Sequence, residues 1–168
     1  MSDQPPSRFS PNLLNLSAYF IIPAVGVPML HNLFEQEHPN RWVASGLLAA
    51  FTLLLLVRSQ TVSHVRWGSY VYTALQTGLI AALLWLPPQQ QLIATVLFFV
   101  VSAEAAMMFP PRIVAIWITL FSAVTLLAYA MFSQDGLLDA PIYVTGYRFF
   151  AIFAQQTARA AAARAESP

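Results

Sequence analysis

Residues 13–30, 42–57, 70–86, 92–109, 113–132 and 142–154 are almost uninterrupted apolar runs, separated by short polar segments. A bilayer core of about 30 Å takes about 20 helical residues, with about 17 as the usual lower end. The first, third, fourth and fifth runs meet that length; the second is slightly short and the sixth, at about 13 residues, is shorter still. With 58% hydrophobic and 9% charged residues, the composition does not suit a soluble domain. The expected fold is all-α: a polytopic membrane protein of six transmembrane helices, the last extending into the cytoplasm. The expected division is a cytoplasmic tail over 1–12, a membrane domain over 13–154 and a juxtamembrane helix over 155–168.

Charge placement orients the chain. With the N-terminus in the cytoplasm, the inward segments carry Arg8, Arg58, Arg66, Arg112, Arg159 and Arg164. The outward segments carry Glu35, Glu37, Asp135 and Asp139, with Arg41 as the basic exception. Basic residues retained on the cytoplasmic side orient short loops during insertion. Without a sixth crossing, Arg159 and Arg164 would lie outside, so both termini are expected in the cytoplasm. Trp42, Trp85, Phe132 and Tyr143 then fall at the outer boundary, with Trp67 and Phe109 at the inner one, where aromatic belts form.

These bounds exclude much. Outward loops of about eleven, five and eight residues cannot hold a folded domain. No cysteine is present, which removes disulfides, thiolate metal sites and cysteine nucleophiles. Phosphate loops, HExxH zinc motifs and GxSxG elbows are missing from the sequence. A net charge of +1 gives no case for nucleic acid. The leader with Asp3 and Arg8, and no small-x-small site after the first run, does not read as a signal peptide. No cofactor and no catalytic residue is expected.

Several residues stand out against the apolar background. Pro23, Gly26 and Pro28 predict either a packed kink or a broken helix in the first run. His31, Glu35 and His38 would share one face if that helix continued past the membrane, a spacing that can hold zinc; a short polar loop ending at Pro39 explains the same letters. Glu104 is the one acid inside an apolar run, and intramembrane acids usually face the bundle. Counted from the outer ends, it lies about 18 Å deep, and Arg148 about 10 Å deep. Glu104 and Arg148 are candidates for a charged switch, either paired or snorkelling to opposite surfaces. Ala44, Gly46, Gly78, Ala81 and Ala82 read as packing positions.

After 142–154 the sequence stays strongly helix-forming through an alanine-rich stretch with no glycine or proline until Pro168. Phe149, Phe153, Gln156, Ala160 and Ala163 follow a 4-3-4-3 spacing, the seam of a parallel coiled coil. A frayed helical tail is the competing reading. The segment RFFAIFAQQTARAAAARAE (148–166), closing a short-looped six-span domain, resembles the membrane half of bacterial sensor histidine kinases of the NarL-type, DesK-like group. FFVVSAEA (98–105) is similar to the fourth helix of such domains. The resemblance implies a homodimer through the last helix. It also implies a phosphoacceptor histidine and a nucleotide-binding domain beyond these residues, through which a response regulator would be reached. His31, His38 and His64 do not suit the phosphoacceptor role.

The expected function is therefore a sensory domain in a bacterial plasma membrane, relaying a stimulus from the lipid bilayer through its last helix. The alternatives are a small transporter or channel subunit using Glu104 as a proton or cation site, and a membrane scaffold.

Overall fold

The computed structural model describes residues 12–61, 67–86, 89–132 and 140–165. Among them are six α-helices and no strand: α1 (Asn12–Glu35), α2 (Arg41–Thr61), α3 (Gly68–Trp85), α4 (Leu97–Met108), α5 (Pro111–Phe132) and α6 (Ala140–Ala165), with a 3-10 stretch, Gln89–Val96, before α4. The N-terminal tail with Arg8, and Arg66, Asp135, Asp139 and Glu166, lie outside the described residues.

α4 is the hub. It has no solvent-facing polar stripe, and a helix that is hydrophobic nearly all round is buried: Leu97, Phe98, Val100, Val101 and every residue from Ser102 to Ala106 are buried, Glu104 among them. α1, α3, α5 and α6 pack around it, α6 most extensively, while α2 completes the bundle against α1 and α3.

Two boundaries follow from local chemistry. Phe109 precedes Pro110 and is extended (φ −120°, ψ 153°), as proline requires of the residue before it, so α4 stops there. Pro111 opens α5 at its first position, where the missing N–H costs nothing, and the Pro110 carbonyl accepts from the amides of Ile113 and Val114. α1 ends differently. The amide of His38 donates to Leu33 O (3.0 Å) and that of Glu37 to Phe34 O (3.2 Å), with Glu37 left-handed at φ 49°. This is a Schellman closure with glutamate where glycine is usual.

The structure departs from the sequence expectations in three places. By length and composition, α5 is the one described helix able to cross a membrane, and only 28% of its apolar window is buried; 20–35, 41–57 and 93–108 form shorter apolar helices. The fourth apolar run, expected as one helix over 92–109, enters as a 3-10 stretch and becomes α-helical only at Leu97; the Thr95 carbonyl within that stretch accepts the Tyr147 hydroxyl (3.2 Å). α1 keeps its helix through Pro23 and Pro28, both of which are exposed, so the broken-helix alternative does not hold.

Close approach depends on two glycines, neither of them Gly46 or Gly78, which have open space around them. A Cβ on Gly26 would lie 2.5 Å from Leu48 of α2, and one on Gly146 would lie 2.5 Å from Phe99 of α4. The Phe99 ring cannot swing aside. It stacks on Phe150 (5.1 Å, 8°) and Tyr143 (6.2 Å) and meets Tyr147 edge-on (5.1 Å). Gly146→Ala should therefore destabilise the bundle by about 1–3 kcal/mol, the usual cost of overpacking. Shortening the opposing ring in Gly146→Ala/Phe99→Leu should recover part of that loss. Unfolding curves of the three proteins measure both effects.

Candidate functional site

The site is a polar cluster sealed between α3 and α4. On α3, Tyr72 and Gln76 are four residues apart and so share one helix face. On α4, Glu104 turns toward them. Gln76 Nε2 donates to Glu104 Oε2 (3.0 Å) and to the Tyr72 hydroxyl (2.9 Å), and that hydroxyl donates to the same Glu104 oxygen (3.2 Å). All three residues are buried, Gln76 completely. Thr73 and Thr77, also buried, turn their hydroxyls onto the carbonyls of Ser69 and Thr73.

Gln76 Oε1 is the exception: buried, with no hydrogen-bond partner. An unmet buried acceptor costs about 1–3 kcal/mol. The arrangement thus gathers donors at one carboxylate oxygen and leaves an acceptor over. A rearrangement that delivered a donor to that acceptor would be favoured.

A second polar contact fixes α6. Tyr147, fully buried, shares a hydrogen bond with Thr125 of α5 (2.9 Å) and donates to the Thr95 carbonyl. Its ring packs edge-on against Phe98 (5.8 Å) and Phe99. α4 therefore faces the Glu104 cluster on one side and an aromatic contact with α6 on the other.

Glu104 and Arg148 are not brought together. Glu104 is 4% exposed and held by α3, so its side chain does not run to a surface. Arg148 is exposed on α6, and no ion pair joins the two. Phe149, Phe153, Gln156, Ala160 and Ala163 all lie on the exposed side of one continuous helix, with the Phe149 and Phe153 rings stacked at 6.4 Å. His31 and Glu35 do meet, at 3.2 Å on the exposed surface. His38 leaves that face because α1 ends at Glu35 and the left-handed Glu37 turns the chain away; its Nδ1 accepts from the Asn40 amide (3.2 Å). Among the described residues no group of three ligands could hold a metal ion.

Tyr72 and Gln76 are the residues that sequence reasoning missed. The signal was present: Gln76 is the one amide within the apolar run 70–86, with a tyrosine one turn before it. No family model, curated protein or solved structure matches the chain.

The cluster makes unequal demands on its members. Tyr72→Phe removes a donor to Glu104 and the hydroxyl that accepts from Gln76, and leaves Gln76 Oε1 unmet, so it should cost about 1–2 kcal/mol. Gln76→Leu removes donors too, but also the unmet oxygen, and should cost less. Unfolding curves of the two variants beside the parent give the order.

Proposed function

We propose that the chain is the six-span sensory membrane domain of a bacterial two-component histidine kinase, with both ends in the cytoplasm and α6 as the output element. The observation that carries the reading is α6 itself. It runs unbroken for 26 residues, about 39 Å at 1.5 Å per residue, which exceeds a bilayer core of about 30 Å. Phe149, Phe153, Gln156, Ala160 and Ala163 stay along its exposed side, with Phe149 65% and Phe153 58% exposed. That stripe suits a second copy of the chain, since 4-3-4-3 spacing is what a parallel helix pair presents.

The rest of the exterior supports a lipid environment. Phe20, Val27, Trp42, Leu53, Ile116 and Ile142 are all more than half exposed, whereas Gln76, Glu104, Thr73 and Thr125 are buried. Monomeric soluble proteins rarely show continuous apolar surfaces above a few hundred Å². Basic residues on the inward segments agree with this orientation. In this reading the Glu104 cluster and the Tyr147 contact grip α4 from two sides. A stimulus within the bilayer would shift α4, and α6 would carry the shift to a kinase core outside these residues, and through it to a response regulator. Such a device needs two arrangements separated by only a few kcal/mol.

A cysteine-free chain allows a direct test. Single cysteines at 149, 153, 156, 160 and 163 should cross-link two copies on oxidation in cells far more than cysteines at 151 and 154. A cysteine at Glu37 should react with a membrane-impermeant maleimide in intact cells, and one at Arg112 only after lysis. Cross-linking strongest at 151 and 154, or absent along the helix, would sink the dimeric relay; equal labelling at 37 and 112 would sink the membrane topology.

A further inference from the structure

Arg148 is the odd residue in the apolar first half of α6, residues 142–154: a cation on the exposed surface, beside exposed Phe149 and Ile152. It makes no ion pair or hydrogen bond among the described residues, and neither does the hydroxyl of exposed Thr145, one turn earlier. Thr73, Thr77 and Thr119, in contrast, each turn back onto the carbonyl four residues before. Two polar groups on one face of one helix therefore share the need for a partner.

We propose that Arg148 and Thr145 bind the phosphate of an anionic phospholipid in the outer leaflet. The inference rests on the membrane reading above and adds the class of molecule that the output helix would recognise. Three features of the geometry point to it. First, helical side chains lean toward the helix N-terminus, so the Arg148 side chain is directed over Thr145 and toward the outer end of α6. Second, Arg148 lies eight residues from Ala140, about 12 Å along the axis. An extended arginine side chain covers roughly half of that, which brings the guanidinium near the boundary between acyl chains and headgroups. Third, at 100° per residue Arg148 lies about 100° around the helix from the Phe149–Phe153 stripe, so pairing of two copies along the stripe leaves it facing lipid.

The chemistry matches at each contact. A guanidinium presents a planar fork of donors suited to phosphate oxygens, and the threonine hydroxyl adds one more. Exposed Ile152, one turn further inward, offers an apolar surface for the acyl chain. A zwitterionic lipid would leave the site with net positive charge in an apolar setting, whereas an anionic one neutralises it.

The test uses the whole chain with one added cysteine, Ile152→Cys, carrying a bimane fluorophore in vesicles. Brominated phosphatidylglycerol should associate with this probe about fivefold more strongly than brominated phosphatidylcholine, the effect of one basic side chain near anionic lipid. Arg148→Gln should abolish that preference, Arg148→Lys should keep most of it, and Thr145→Val should weaken it. Equal quenching by the two lipids, or a preference that survives Arg148→Gln, would overturn the site while leaving the membrane reading intact. Loss of the preference on adding inorganic phosphate would assign the site to a free anion and overturn the lipid. Protein that failed to float with the vesicles would overturn the membrane reading itself, and the site with it.

Discussion

α6 can lie against α4 only because residue 146 has no side chain. The Phe99 ring fills the space that a Cβ would need, and Phe150, Tyr143 and Tyr147 hold that ring in place. Tyr147, the next residue, fixes the rotation of α6 by bonding Thr125 and the Thr95 carbonyl. Close packing of this kind does not deform smoothly, because core side chains are packed at crystal-like density. A displacement of α4 must therefore either carry α6 with it or break the aromatic contact.

α4 also joins two unlike environments. Glu104 and Phe99 are five residues apart, about 140° around the helix and about 7.5 Å along it, so one addresses α3 and the other α6. The α3 side is polar and incompletely satisfied: Oε2 of Glu104 takes two donors while Oε1 of Gln76 takes none. The α6 side is aromatic and tightly filled. The unmet acceptor carries a cost of about 1–3 kcal/mol, comparable with the gap between the two states of a working switch. In the proposed relay, an imperfection of that size would let a small input on the α3 side select between arrangements that the α6 side would transmit.

Much of the layout was legible in the sequence because helices of this kind are written locally. All six apolar runs became helices, and Pro110 and Pro111 marked the break between α4 and α5. The length of α6 and the exposure of Phe149, Phe153 and Gln156 follow from an uninterrupted helix-forming stretch. What local reading missed depended on partners. Nothing near Gly146 says that it will meet Phe99, or near Gly78 that it will meet nothing; both are single glycines in apolar helices. The zinc spacing of His31, Glu35 and His38 presumed a helix that the left-handed Glu37 ends. Glu104 was conspicuous as the lone acid of its run, but its donors came from α3, some thirty residues earlier, and no periodicity links them.

The circumference of α6 divides into three sectors. Tyr147, Ala151 and Ala154 are buried on the core side; Phe149, Phe153 and Gln156 form the stripe proposed for a second copy; Arg148 and Thr145 lie toward the lipid proposed to bind them. At 100° per residue, Tyr147 is about 160° from Phe149, and Arg148 is about 100° from it. A rotation of α6 that improved any one of these contacts would shift the other two. Core packing, chain pairing and lipid binding would then be coupled through one rigid element, and a change at any of them would reach the C-terminal end of the helix without a further moving part.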